Sequence, residues 1–289
     1  MNYEHDFYTT SGGQTTLNCG GKLVDFTDPH IMGILNVTPD SFYDGGKFTT
    51  ESQILNKVET MMAEGATFID IGAQSSRPGA KLIDAETEAS RLLPAINSIF
   101  RNFPDILISV DTFHSSVANS ALDSGAVIIN DISAGEIDPS MYNVIKKWNV
   151  PYIIMHMKGK PADMQNDPKY IEVVNEVFTY MRDKIILLKK LGIHDVIIDP
   201  GFGFGKTVKQ NYSLLKNLEQ FSQLGKIIMA GLSRKSMICK PLKIDPKDAL
   251  IGTSALHMSA LMNGARMLRV HDVKEAIEVI RLYKEMQDS

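Results

Sequence analysis

Eight short apolar runs, recurring at a near-constant interval and each stopping at a polar side chain of the kind active sites use, predict an α/β fold of the (β/α)8 barrel class. The runs begin near Ile31, Phe68, Ile106, Val127, Tyr152, Val196, Ile227 and Met267. Seven intervals separate the first from the last, about 34 residues each, which is the length of one strand-helix unit. They stop at Asn36, Gly72, Asp111, Asn130, His156, Asp199, Ser233 and Arg269, so eight strand ends point at one mouth. Runs such as Ile153-Ile154-Met155 and Val196-Ile197-Ile198 are continuous rather than alternating, as parallel strands covered on both faces require. Between the runs the apolar period changes to that of a helix. Ile171, Val174, Phe178, Met181, Ile185 and Leu188 form one stripe, and Leu55, Val58 and Met62 form another. An open doubly wound sheet is the alternative that this pattern leaves standing.

Ahead of the first barrel strand, Thr15-Thr16-Leu17-Asn18 and Lys22-Leu23-Val24-Asp25-Phe26 flank Cys19-Gly20-Gly21. This reads as a β-hairpin over residues 14–26, closed by glycines that accept positive φ, and it is placed against the barrel floor. No linker or low-complexity stretch follows, so residues 1–289 are expected to form a single domain, of a length usual for this barrel. Hydrophobic residues make up 44% of the chain, with no apolar stretch long enough for a membrane span. Net charge is −4 and no basic run exceeds two residues, which argues against nucleic acid as a partner. Any anionic ligand must therefore be held by local positive groups. Met1 to Gly13 is polar and lacks a signal-peptide core, and two cysteines, Cys19 and Cys239, are too few for a disulfide framework. A cytoplasmic protein with reduced thiols is expected.

The first strand runs into Asn36-Val37-Thr38-Pro39-Asp40-Ser41-Phe42-Tyr43-Asp44-Gly45-Gly46. Asn, Pro, Asp and Gly all form ordinary turns. Two aromatics between two aspartates are more than a turn needs, and a loop so built could close over a ligand. The second strand enters Gln74-Ser75-Ser76-Arg77-Pro78-Gly79, where Arg77 offers a planar fork for phosphate or carboxylate. The third, fourth and sixth deliver Asp111, Asn130-Asp131 and Asp199 out of β-branched sequence. A carboxylate there costs heavy desolvation unless it meets donors or a cation. Helix and turn capping would serve as a local explanation for Asp111, Thr112 or Asp131. Three acidic ends at one mouth favour a ligand instead, one with a donor-rich, guanidine-like ring edge.

Asp199 is followed by Pro200-Gly201-Phe202-Gly203-Phe204-Gly205-Lys206-Thr207. Gly-Lys-Thr invites comparison with a nucleotide phosphate loop, but position 200 is proline where that motif needs glycine. The segment is expected to be a flexible loop presenting Phe202 and Phe204 to a flat ring. Positive charge comes from the last two strands, in Ser233-Arg234-Lys235-Ser236 and Arg269-Val270-His271-Asp272. Loops in these places often bind phosphate in such barrels, and Arg269 and His271 share one strand face.

These segments resemble the dihydropteroate synthases, a family of pterin-binding TIM barrels. The resemblance runs through Gly33-Ile34-Leu35-Asn36-Val37-Thr38-Pro39-Asp40-Ser41-Phe42, Ser76-Arg77-Pro78-Gly79, Val110-Asp111-Thr112, Asn130-Asp131, Asp199 to Lys206, Ser233 to Ser236 and Arg269 to Asp272, in order. It implies an enzyme of folate synthesis that joins p-aminobenzoate to dihydropterin-hydroxymethyl diphosphate with Mg2+, releasing pyrophosphate. It also implies a homodimer and a sulfonamide target. By resemblance, Asp111, Asn130, Met155, Asp199, Phe204 and Lys235 contact the pterin, with Asp111, Asp199, Lys235 and Asp44 catalytic. Asn36, Ser76, Arg77, Arg269 and His271 hold pyrophosphate, and Asn36 reaches the metal. Phe42, Pro78, Phe204, Lys235 and Ser236 receive p-aminobenzoate. One departure stands out: many members carry Glu-Ser-Thr where this chain has Gln74-Ser75-Ser76. A Schiff-base aldolase using Lys235, and a pterin carrier or methyltransferase on a related barrel, are the competing readings. The small and apolar residues from Ala249 to Gly264 suit either a dimer helix or internal packing.

Overall fold

The eight apolar runs become eight parallel strands, each starting within a residue of the expected position, and the ring closes. A computed structural model describes residues 13–37, 51–74, 82–159, 164 and 168–289. A hairpin of β1 (Thr16–Cys19) and β2 (Lys22–Asp25) leads into β3 (His30–Asn36). There follow α1 (Glu51–Glu64), β4 (Phe68–Gly72), α2 (Ala85–Asn102), β5 (Leu107–Asp111), α3 (Ser115–Asp123) and β6 (Ile128–Asp131). Next come α4 (Met141–Trp148), β7 (Tyr152–Met155), α5 (Val173–Leu191), β8 (Val196–Asp199), α6 (Val208–Lys216) and β9 (Ile227–Ala230). The chain ends with α7 (Ser236–Leu242), α8 (Leu250–Met262), β10 (Met267–Val270) and α9 (Val273–Asp288). The strand order β10-β3-β4-β5-β6-β7-β8-β9 is that of a closed barrel, which removes the open-sheet alternative.

Strand periodicity of two sorts side chains to the two faces. Ile69, Ile71, Ile108, Val110, Ile129, Ile154 and Ile198 turn outward into the core under the helices. Their neighbours Met32, Phe68, Leu107, Ile128, Ile153, Ile197, Ile227, Met229 and Met267 turn inward and form a dry layer at the floor. The hairpin seals that layer, as expected, with Leu17, Cys19, Val24 and Phe26. Its two-residue turn has Gly20 at φ 62° and Gly21 at φ 90°, the pair of positive values that a tight hairpin of this hand requires.

Two expected helix stripes shift. In α1 the buried positions are Ile54, Val58 and Met61, while Leu55 and Met62 pack at the edge of the core. Ile171 precedes α5 and is 99% exposed, because Glu176 accepts hydrogen bonds from the Ile171 and Glu172 backbone and starts the helix later. Cys19 and Cys239 are buried and unpaired. No described helix is long and apolar enough to cross a membrane.

Candidate active site

Above the floor layer the inward positions change character. Register pairs Asp70 with Ile34 and Ser109, then Gly72 with Asn36 and Asp111, and Asp111 with Asn130. Met155 pairs with Asp199 on the adjacent strands β7 and β8. Polar groups thus rise out of an apolar base, at the carboxyl ends of the strands.

Asp70 is the hub of the lower polar layer and is fully buried. Ser109 Oγ donates to its Oδ1 at 2.6 Å, while Asn130 Nδ2 at 3.0 Å and Arg269 Nε at 2.6 Å both donate to Oδ2. Arg269 also donates through Nη2 to Asp111 Oδ2 at 2.8 Å. Burial alone would lower the arginine pKa, and Asp70 and Asp111 reverse that, so the guanidinium stays charged deep in the mouth. Burial pushes the Asp111 carboxyl up, Arg269 holds it down, and Asp70 and Asp131 raise it again. The sequence reading missed Asp70. Its signal was a charge in the middle of Phe68-Ile69-Asp70-Ile71-Gly72, two residues from Gly72 and so on the same face.

Asp199 lies across the mouth, where its Oδ1 accepts the Gly201 N–H at 2.8 Å. Burial raises its pKa and Lys235 opposes the rise. Lys235 in turn is lowered to about 8 by burial, with Asp199 pulling the other way. A Cβ at Gly231 would sit 3.6 Å from Lys235 Nζ and 3.7 Å from Asp199 Oδ2, so acid and amine face the same bare backbone. Lys235 Nζ donates to the Phe202 carbonyl at 2.5 Å and lies 4.7 Å from the centre of the Phe204 ring. Phe204 joins Phe113, Ile132, Met155 and Met157 in a small apolar wall beside these charges.

The expectation for the loop after β8 needs correction on two points. Phe202 is not presented to a ligand; it is fully buried in the main core. Nor is the loop free. Lys206 reaches inward and its Nζ donates to the carbonyls of His156, Gly201 and Phe204 at 3.1, 2.8 and 3.0 Å. Gly201, at φ 73°, passes so close that a Cβ would lie 2.0 Å from the His156 carbonyl oxygen.

Two other strand ends turn away from the mouth. Asp131, one residue past Asn130, faces outward and accepts from Ser133 N and Oγ, Gly135 N and the Tyr152 hydroxyl. It caps a turn, while Asp111, Asn130 and Asp199 converge. His156 follows the inward Met155 and packs edge-on to Tyr180, with burial pushing its pKa down to about 3. At the start of α3 the Thr112 hydroxyl accepts the His114 N–H at 3.1 Å and Asp138 accepts the Ser115 N–H, while Asp111 turns to Arg269.

On β10 and its loop, His271 Nδ1 lies 3.0 Å from Ser233 Oγ. Burial, with Arg269 and Arg234 nearby, lowers the imidazole to about 4, so it is neutral at pH 7. Arg234 has a left-handed backbone at φ 58°, and its guanidinium forms a two-point ion pair with Asp272. This ties the loop that carries Lys235 to the loop that carries His271. Ser236 opens α7 and is exposed. A Cβ at Gly72 would lie 3.8 Å from Asn36 Oδ1 and 3.7 Å from Asp111 Oδ2, placing those oxygens at the rim together. Phe42, Asp44, Ser76, Arg77 and Pro78 lie outside the described residues.

Among the described residues no group of three acidic, His or Cys side chains is arranged to hold a metal by itself. Asn36 offers one hard oxygen, which fits a cation that brings phosphate and water oxygens for the rest of its shell. At the opposite end of the barrel a cleft of about 430 Å³ lies beside the hairpin, lined by Leu23, His30, Met62, Thr67 and Ile106. Both ring nitrogens of His30 are taken there, by Thr67 Oγ1 and the Asp25 carbonyl.

Residues 32–271 match the model of the pterin-binding enzyme family. Dihydropteroate synthase of Escherichia coli K12 is 41% identical over 264 residues, covering 91% of this chain and 93% of the relative. The Yersinia pestis dihydropteroate synthase in a sulfonamide drug complex superposes with a TM-score of 0.90 at 36% identity, covering 95% of this chain and all of that one. The Xanthomonas albilineans dihydropteroate synthase with 4-aminobenzoic acid gives 0.89 at 36% identity, covering 95% and 99%.

Proposed function

The chain belongs to the pterin-binding enzymes and, among them, to the dihydropteroate synthases, and from that membership we propose how its own residues share the work. The reaction joins p-aminobenzoate to 6-hydroxymethyl-7,8-dihydropterin diphosphate, giving 7,8-dihydropteroate and pyrophosphate. The observation that carries the assignment of residues is the convergence of Asp111, Asn130 and Asp199 on one gap, opposite Lys235 and beside the apolar wall of Phe204 and Met155. Acceptors on one side and a flat apolar surface on the other suit a ring whose edge is rich in N–H groups. Lys235 supplies the one donor such a ring needs for its carbonyl.

Arg269, with charge maintained by Asp70 and Asp111, and neutral His271 would receive the diphosphate, joined by Ser76 and Arg77. Mg2+ is proposed at Asn36, assisted by Asp44; bound there, it would neutralise phosphate charge. The C–O bond at the pterin methylene breaks and its electron pair leaves with pyrophosphate. The cation left behind is delocalised into the ring, where Asp111 and Asp199 stabilise it. Their carboxyls are held above the usual range, so a neighbouring positive charge benefits both. The neutral aryl amine then attacks the methylene and sheds a proton to water. Phe42, Pro78, Phe204, Lys235 and Ser236 would frame that amine, and sulfonamides would compete there.

A homodimer is proposed on the apolar faces of α7 and α8, where Leu242, Ile251 and Met262 are exposed, Ile251 to 85%. Sedimentation at micromolar concentration tests it. A cytoplasmic location is proposed from the two unpaired cysteines. The test of mechanism is pyrophosphate release from the dihydropterin diphosphate, with and without p-aminobenzoate. Slow release without the amine, captured in single-turnover assays, supports an SN1-like path. Strict dependence on the amine refutes it.

A further inference from the structure

Asp70 lies one layer below the proposed substrate contacts, is fully buried, and spends both oxygens on protein donors. Its effect on the site passes through two neighbours. An asparagine side chain has two ends of opposite hydrogen-bonding character and nearly equal shape, so something must decide which end faces the ligand. A carboxylate can only accept here. Asn130 therefore turns its NH2 to Asp70 Oδ2, at 3.0 Å, and leaves Oδ1 for the mouth. The same Asp70 oxygen accepts from Arg269 Nε at 2.6 Å, and with Asp111 on Nη2 the guanidinium plane is held at two points. Its remaining N–H groups are left in a fixed direction for an anion. Ser109 Oγ, at 2.6 Å from Oδ1, keeps the carboxylate itself from rotating.

We infer that Asp70 is a positioning and specificity-determining residue: it makes Asn130 an acceptor toward the ring edge and aims Arg269 at the diphosphate, linking the two halves of the substrate site through one buried carboxylate. With an amide at position 70 the Asn130 side chain is free to flip, and a donor then replaces one of three acceptors facing the ring. Arg269 keeps one carboxylate and loses its fixed plane. The inference rests on the proposed pterin and diphosphate contacts, and the experiment separates the two.

Calorimetry on the full chain, with 6-hydroxymethylpterin and separately with inorganic diphosphate and Mg2+, gives a Kd for each half-site. Asp70→Asn, which preserves shape, is expected to raise both by about tenfold, the loss of one charge-assisted contact on each side. In an Asn130→Ala background the pterin effect should shrink to less than about twofold, and in an Arg269→Ala background the diphosphate effect likewise. A merely structural aspartate would lose affinity equally in every background, and that result overturns the inference. If Asp70→Asn does not fold, Ser109→Ala serves. It frees one Asp70 oxygen without touching either probe, and both Kd values should rise about threefold; unchanged values overturn the inference. A parent chain that binds neither probe sinks the proposed contacts instead.

Discussion

Glu88 on α2 is a carboxyl with no exposure, packed behind the strand end that carries Asp111. Its Oε2 accepts from Thr112 Oγ1 at 2.7 Å and its Oε1 has no partner among the described residues. Burial pushes its pKa from 4.5 to about 7; the Thr112 hydroxyl holds it down and Asp111 adds to the rise. Below the unfolded value both states carry the proton, and the native state bears no penalty. As pH climbs toward 7 the unfolded chain releases its proton first, so stability falls by about 1.4 kcal/mol per pH unit. Above 7 the full cost, about 3 kcal/mol, is in place. Glu88→Gln keeps an acceptor for Thr112 and removes the titration. Urea melts of parent and variant at pH 5 and pH 8 should therefore differ in their offset by about 2 to 3 kcal/mol, with the variant gaining at pH 8. The same offset at both values would refute the reasoning, since it would mean that Glu88 does not bury its charge. Thr112→Val, which removes the hydrogen bond opposing the rise, should leave the onset of the loss where it is, extend the loss to still higher pH and make it larger.

Three further outcomes are expected. Gly72→Ala places a methyl 3.4 Å from Asp111 Cβ, an ordinary contact, so the melting temperature should hold while the rim between Asn36 and Asp111 narrows. KM for the diphosphate substrate should rise by about tenfold with kcat less affected, measured by steady-state assay. Lys206→Met strands three carbonyl acceptors and should cost about 3 kcal/mol in chemical denaturation, with the loop after β8 becoming sensitive to protease. Lys235, lowered to about 8 by burial, loses its charge as pH passes that value, so kcat/KM of the parent should fall between pH 7.5 and 9. Lys235→Arg should be slower throughout and should lack that fall, because its charge persists.

The barrel was legible because its strands are short, continuous and regularly spaced, and because period two carries Met267, Arg269 and His271 to one face. Asp111, Asn130 and Asp199 could be placed at the mouth for the same reason. Asp131 was misjudged by one residue of parity, which is enough to turn a side chain from ligand to turn cap. Phe202 was misjudged because a loop aromatic gives no sign of which way it points, and the Lys206 anchor that folds the loop inward reaches a carbonyl 50 residues away, at His156, besides the local ones of Gly201 and Phe204. The helix stripe of α1 slipped because Met61 and Met62, like Ile54 and Leu55, are equally apolar neighbours. The assignments to Phe42, Asp44, Ser76, Arg77 and Pro78 fall outside the described residues and rest on resemblance.

Asp70 and Arg269 are 199 residues apart in sequence, yet they touch because β10 lies beside β3, which lies beside β4. The last barrel strand is thus stitched over the first to the second, at the place where chemistry is to happen. A chain emerging from the ribosome has Asp70 and Asp111 long before it has their common partner. Until β10 arrives, those carboxylates lack the guanidinium that makes their crowding tolerable. Synthesis order therefore acts as a timer: the site is assembled by the same event that shuts the ring, and a half-made chain has neither.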